Sequence, residues 1–404
     1  MKKQAVKWAR FRHKATWFLL KPAFFLYARI HYGARIEKYA DAGKTPCVYL
    51  YNHVTGFDQF FVALSFARPI YFVATEDIFS LGFLSKALSF LVAPIPIKKH
   101  STDIKALKNI LTVVKEGNSI AIAPEGNRTY SGRSVHMKDS IVSLIKKLKI
   151  DIVLFKIEGG YGVQPRWSDV VRKGRIDCRI AKVIKPSEYL SLSDDELYEC
   201  IKKTLYTDEA NTDHLYKHAK KAEFLERAMY VCPDCGFTTF ESNGNVIRCN
   251  TCNKEIRYKE DTSLEGVGFK FPYRFVADWY EYQNNYVNQT DLTLLTDKPV
   301  YEDMISIYKV IPYKRKVTLD RSVRSDMYGD RIELSFSDGT AKTIRFDEIA
   351  GIACMGRNKL NVETKDGIFQ IRGSKRFNAL KYLNFCYRYK NIVKGEDDDK
   401  FLGI

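Results

Sequence analysis

Two cysteine pairs restrict this chain more than any other feature. Cys232-Pro-Asp-Cys235 and Cys249-Asn-Thr-Cys252 stand thirteen residues apart. Each C-x-x-C offers two thiolates from one tight turn, and a short hairpin between two such knuckles closes a tetrahedral sphere. Gly236 follows the first knuckle, where positive φ is favoured. Asn243-Gly244-Asn245 supplies a hairpin turn between 237–240 and 246–248. The pattern predicts a zinc ribbon holding structural Zn2+ on Cys232, Cys235, Cys249 and Cys252; disulfides are the lesser alternative. Four thiolates leave no open position, so this metal would hold structure and activate no water. Cys47, Cys178, Cys200, Cys354 and Cys386 lack such spacing and read as mostly buried small hydrophobes in a reducing compartment.

Around the ribbon the patterning changes. From Pro46 to Leu190 apolar runs at 47–51, 70–73, 95–97, 119–123, 152–157 and 179–184 alternate with helical stretches. That alternation predicts an α/β domain with a largely parallel sheet. Ile104, Leu107, Ile110, Leu111 and Val114 recur at helical spacing before Gly117, and Ser193 caps an acidic first turn of another helix. Residues 207–229 read as a mostly helical, charged stretch. The run 78–97 reads as a core helix and strand, with lining an acyl tunnel or dipping into lipid as the alternatives. Near the C-terminus, Ile332, Leu334 and Phe336 alternate, Ser337-Asp338-Gly339 and Lys365-Asp366-Gly367 make turns, and 377–387 suggests a closing helix. This α+β domain resembles the pleckstrin-homology-like architecture, with a structural or dimerising role or a lipid headgroup as its business. The expected division is 1–36 as an interface segment, 37–228 as the α/β domain, 229–260 as the ribbon, 261–316 as a connector, 317–395 as the C-terminal domain and 396–404 as a tail.

Charge narrows the partners. Among 404 residues, 65 Lys and Arg face 48 Asp and Glu, a formal balance of +17. Such an excess implies an anionic partner: nucleic acid, an anionic membrane or a phosphorylated substrate. No acidic residue precedes Glu37, whereas nine basic ones do, interleaved with Trp8, Phe11, Trp17, Phe18, Phe24, Phe25 and Tyr27. Lys21 and Pro22 cut the apolar stretch below the roughly 20 residues a membrane-crossing helix needs. A basic, aromatic segment of this kind suits the headgroup layer of an anionic membrane surface. The ribbon, with Arg248 its one base between Cys232 and Cys252, argues against nucleic acid as a partner.

Three polar groups directly follow expected strands: 52–58, Lys98-Lys99, and Glu125-Gly-Asn-Arg128. Strand carboxyl ends of a parallel sheet share one edge, so the groups should meet in one cleft. His53 and Asp58 form an H-x4-D box, Ile95-Pro96-Ile97-Lys98-Lys99 a second block, Glu125-Gly126-Asn127-Arg128 an E-G-x-R block, and 152–160 stands where a fourth is expected. In this order the blocks resemble those of the glycerolipid acyltransferases, over roughly residues 18–205. Three departures stand out: Lys99 replaces the usual Arg, Asn127 the usual Thr, and Val153 or Leu154 the usual Pro.

The resemblance implies an acyltransferase domain working as a membrane-associated 1-acylglycerol-3-phosphate acyltransferase or a close relative. The donor is an acyl-CoA or acyl-carrier-protein thioester and the acceptor a lysophospholipid. The place of work is the cytoplasmic face of a membrane, held peripherally or monotopically. His53 is the expected base for the acceptor hydroxyl and Asp58 its orienting partner. Lys99 and Arg128 grip the acceptor phosphate, Glu125 positions the hydroxyl and Gly126 allows close backbone approach. A spacing of five does not place two side chains on one helix face, so a turn, plausibly at Gly56, must return the carboxylate. Two other readings stay open: a degenerate fold serving as a lipid-binding adaptor, and a zinc-ribbon nucleic-acid scaffold.

Overall fold

The computed structural model describes residues 7–39, 45–75, 78–79, 82–97, 103–210, 212–311 and 316–395. It divides into two compact units: one takes the chain up to 129, 133–164 and 173–209, the other 130–132, 165–172 and the residues from 210 onward.

The first unit is an α/β sandwich. Its strands are β1 (Ala34–Ile36), β2 (Cys47–Tyr51), β3 (Ile70–Thr75), β4 (Ile95–Ile97), β5 (Ser119–Ile122), β6 (Asp151–Glu158) and β7 (Ile176–Ile184). Its helices are α1 (Phe11–His31), α2 (Asp58–Ser65), α3 (Phe83–Leu91), α4 (Ile104–Lys115), α5 (Ser140–Leu148), α6 (Gly160–Val163), α7 (Pro186–Tyr189) and α8 (Asp194–Leu205). The sheet order is β1-β7-β6-β2-β5-β3-β4. β2 lies at its centre with all five residues buried, as a strand covered on both faces requires. Ile110 and Val113 of α4, Ile141 and Ile145 of α5 and Leu197 and Ile201 of α8 pack with Val48, Leu50, Ile120 and Ile152 of the strands. Asp103 caps α4 by accepting the Ala106 N–H at 2.9 Å.

The sheet is parallel except where β7 runs antiparallel to β6. With only four-residue α6 between them the chain makes no crossover, and a connection without one returns antiparallel. Of the expected interface segment 1–36, residues 1–6 lie outside the described residues and 7–36 belong to this unit, where β1 pairs with β7 from Ala34↔Ile176 to Ile36↔Cys178. The expected core helix within 78–97 is instead a surface one: Phe83 is 87% exposed and Phe90 57%.

In the second unit the expected boundaries dissolve. Residues 210–228 join it and are not the predicted helix; the described structure there is irregular, with one 3-10 turn at Leu225–Arg227. Local bonds compete with helix, Thr212 accepting the His214 N–H and His218 the Lys220 N–H. Ala222, Leu225 and Met229 meanwhile enter a core shared with Cys232, Trp279 and Leu380. Strands β8 (Val231–Cys232) and β9 (Gly236–Phe237) form the first knuckle, and β10 (Phe240–Asn243), β11 (Val246–Cys249), β12 (Glu255–Tyr258) and β13 (Leu264–Gly266) an antiparallel sheet. The connector resolves into β13, helix α9 (Val276–Gln289) and β14 (Tyr301–Val310). The last sheet adds β15 (Val317–Met327), β16 (Arg331–Ser335), β17 (Ala341–Arg345), β18 (Gly351–Met355), β19 (Lys359–Thr364) and β20 (Gly367–Gly373), in the order β17-β16-β15-β14-β20-β19-β18. Helix α10 (Leu380–Lys394) packs Leu380, Leu383 and Phe385 into the same core. Ribbon, connector and C-terminal sheet therefore belong to one unit, because they share one hydrophobic interior.

Candidate active site

β2, β3, β4, β5 and β6 are mutually parallel, so their carboxyl ends share an edge, and the chain leaving that edge carries the motif residues. After β2 the chain turns at 55–57 and enters α2 with Asp58 as its first residue. The turn returns the carboxylate to the imidazole: His53 Nδ1 and Asp58 Oδ2 stand 2.9 Å apart. Asp58 is fully buried, whereas the His53 side chain keeps 24% of its surface open. Buried anions need donors. Asp58 accepts the backbone N–H of Val54 at 2.6 Å, that of Thr55 at 2.9 Å and the Thr55 hydroxyl at 2.6 Å. Gly56 sits in this turn as expected but does not adopt left-handed φ.

The E-G-x-R segment follows β5. Glu125 is buried, and its carboxyl accepts the backbone N–H groups of Val135 and His53. Burial pushes its pKa up to about 8 despite those donors, with the charges of Asp58 and Glu209 adding to the rise. The Thr129 N–H donates to the His53 carbonyl at 3.3 Å, fastening the two motif segments together. Gly126 has φ +68 and a Cβ there would meet nothing within 4 Å, so glycine answers backbone conformation and leaves space beside it. Arg128 is half-buried, with Nη1 3.6 Å from where a Cβ of Gly56 would stand. Lys99 lies outside the described residues.

Other groups escaped the sequence reading. Asn52 clamps β2 to β6, donating to the Ile157 carbonyl and accepting its N–H, both at 2.8 Å. Its place directly before His53 was the available signal. Thr55 belongs to the Asp58 shell, and nothing in its spacing marks it. Glu209, buried beside the turn after β6, stands in a stretch whose apolar spacing imitates a helical linker.

In the second unit the four predicted ligands converge: the Sγ atoms of Cys232, Cys235, Cys249 and Cys252 all lie within 4.8 Å of one another. Cys232 and Cys252 are 3.9 Å apart at sulfur. Metal–sulfur bonds of about 2.3 Å in a tetrahedron need sulfur separations of about 3.8 Å, so the donor set fits such an ion. Gly236 takes φ +72 after the first knuckle, and a Cβ there would strike the Tyr286 hydroxyl. Of the other cysteines, Cys47, Cys178, Cys354 and Cys386 are buried and Cys200 half-buried.

A half-buried histidine and a buried carboxylate meet at the strand-end edge beside an E-G-x-R loop, and residues 30–157 match the family model described as acyltransferase. The match assigns an acyltransferase domain to that part of the chain. The chain is 28% identical over 156 residues to the Brassica napus 1-acyl-sn-glycerol-3-phosphate acyltransferase BAT2, chloroplastic, covering 38% of this chain and 45% of that protein. It is 26% identical over 149 residues to the Arabidopsis thaliana 1-acyl-sn-glycerol-3-phosphate acyltransferase LPAT1, chloroplastic, covering 36% and 42%. The chain thus spans less than half the length of these curated relatives. The Thermotoga maritima 1-acyl-sn-glycerophosphate acyltransferase PlsC aligns at TM-score 0.39 and 18% identity over 49% of this chain and 80% of that one.

Proposed function

We propose that this protein is a membrane-associated O-acyltransferase that moves a fatty acyl group from a thioester to the hydroxyl of a lysophosphatidate-like acceptor. The His53–Asp58 contact carries the reading. With Nδ1 held by Asp58, Nε2 is the nitrogen that would take the acceptor hydroxyl's proton, and an imidazole, with an ordinary pKa near 6.5, suits that work at neutral pH. The alkoxide oxygen attacks the thioester carbonyl, the C–S bond breaks, and the imidazolium returns its proton to the leaving thiolate. Asp58 stabilises the imidazolium between those transfers. No serine or cysteine stands in the H-x4-D or E-G-x-R box, so direct transfer without an acyl-enzyme is expected. Arg128 and Lys99 are the proposed grip on the acceptor phosphate, and Glu125 and Gly126 line its approach.

Membrane contact is assigned to α1 and α3. Among the described residues no helix is long and apolar enough to cross a membrane. Phe11, Phe18, Leu19, Ile30, Phe83 and Phe90 are nonetheless exposed, and Arg12 stacks on Phe90 at 4.0 Å. Rings presented beside cations fit an anionic bilayer surface on the cytoplasmic side. The cysteine cluster is assigned structural Zn2+, which when bound would supply folding energy and no open coordination position. The order of the last sheet supports a pleckstrin-homology-like reading of that region.

The deciding experiment presents purified full-length protein with lysophosphatidate and either acyl-CoA or acyl-carrier-protein donors, beside His53→Ala. Transfer by the native chain that His53→Ala removes is the expected result. Transfer untouched by the substitution overturns the mechanism, and binding of lysophospholipid without transfer favours the adaptor.

A further inference from the structure

Residues 207–209 lie fifty positions beyond the end of the matched segment at 157, yet they cross the edge on which the site stands. Each contacts a different loop. Thr207 Oγ1 is 3.5 Å from Asn52 Nδ2 and 3.2 Å from Ser134 Oγ. Ser134 donates its N–H to the Thr207 carbonyl, and Thr207 its N–H to Ser134 Oγ, both at 2.9 Å. Asp208 receives Arg133 Nε at 3.0 Å. Glu209 reaches the turn after β6, where Oε2 accepts the Tyr161 N–H at 2.6 Å and the Gly160 N–H also bonds the carboxyl. Gly160 then presses on the residues that hold Asp58: a Cβ there would stand 3.0 Å from Thr55 Cγ2 and 3.3 Å from Val54 Cβ.

We propose that Thr207–Glu209 is a strap that sets the geometry of the His53–Asp58 pair, with Glu209 a positioning residue acting through Gly160 and Tyr161 on the loop that cradles Asp58. The kinetic consequence rests on the acyl-transfer reading; the structural one does not. The groups around Glu209 are Asp58 of α2, Glu158 of β6, Cys178 of β7 and Glu125 of the E-G-x-R loop. Burial, then the charges of Asp58 and Glu158, push Glu209 up to about 8 against the pull of the two N–H donors. Its Oε1 is buried without a hydrogen-bond partner, which an ionised oxygen would not tolerate cheaply. The Glu209 carboxyl therefore keeps its proton at pH 7, while Asp208 of the same strap is paired with Arg133.

The test uses amide exchange and His53 NMR titration on the full chain, alongside kinetics, for Glu209→Ala and Glu209→Gln. Glu209→Ala is expected to speed exchange at Val54, Thr55 and Tyr161 about tenfold, the size of one net hydrogen bond. It should also lower kcat with the acceptor KM little changed. Glu209→Gln, which keeps an acceptor oxygen, should restore protection and leave the His53 titration where it is. Unchanged exchange in Glu209→Ala overturns the strap; a downward shift of the His53 titration in Glu209→Gln overturns the neutral carboxyl. Should Glu209→Ala not fold, Thr207→Val serves instead, expected to speed exchange at Ser134 and Ile157. Faster exchange in Glu209→Ala while the native chain transfers nothing supports the strap and counts against the acyl-transfer reading alone.

Discussion

In the second unit Lys381 is buried with its ammonium 2.7 Å from Asp303, which also accepts the Tyr382 hydroxyl at 2.7 Å. Arg227, buried as deeply, meets Asp169 at 2.7 Å, and Glu226 meets Arg376. Burial still lowers the pKa of Lys381 and raises that of Glu226, but each has an opposite charge in contact; in the first unit burial likewise raises Glu125 and Glu209, to about 8, and the charges beside them are those of other carboxylates. Buried charge satisfied by an opposite partner specifies a fold; buried acids crowded together are the usual mark of chemistry. The two units thus differ in what a buried ionisable group meets: an opposite charge in the second, a like charge in the first.

The comparison breaks most visibly at the cysteine cluster. Chelation, or Cys232→Ser, is expected to unfold the ribbon region, since thiolate zinc sites contribute on the order of 10 kcal/mol. Metal analysis showing no zinc in the native protein would sink that assignment. Next comes His53→Ala, which should lower kcat by about 10²- to 10⁴-fold with an unchanged urea midpoint. Lys381→Ala should do the reverse, costing about 3–5 kcal/mol of stability by stranding Asp303 in the interior while leaving transfer by the folded fraction intact. If Lys381→Ala left stability alone, the structural half of the comparison would fail.

Titration sharpens the other half. Glu125 and Glu209 bind their protons more tightly folded, near 8, than unfolded, near 4.5. Between those values the native state holds more protons than the unfolded one, so stability falls as pH rises from about 4.5 to 8 and levels off above. Glu209→Gln should accordingly raise the urea midpoint at pH 8.5 but not at pH 4. The smallest effect belongs to Ser193, which accepts the Glu196 N–H at 3.2 Å as the cap of α8. Ser193→Ala should cost about 1 kcal/mol in thermal denaturation.

What could be read ahead of the structure follows the range of the forces concerned. The strands at 47–51 and 95–97, the Ser193 cap and the cysteine knuckles were legible because each signal is local: a run of apolar residues, a capping side chain, a fixed spacing. His53 and Asp58 were legible as a pair, though the agent that joins them, the Thr55 turn with its three donors, was not. Residues 210–228 misled because helical spacing and burial in a distant core produce similar apolar patterns, and tertiary packing decided between them. The reversal of β7 and the merging of ribbon with C-terminal sheet depend on pairings across long stretches of chain, which no window on the sequence contains.

The pairing of β1 with β7 has a consequence in time. Ala34 waits for Ile176, roughly 140 residues later, and synthesis at about 5–20 residues per second makes that wait on the order of 10 seconds. Throughout it, the helix just upstream carries Phe18, Leu19 and Ile30 outward with no strand yet to anchor its base. On the proposed membrane role of α1, a nascent chain in that condition meets a lipid surface while still attached to the ribosome, before β7 closes the sheet beside β1.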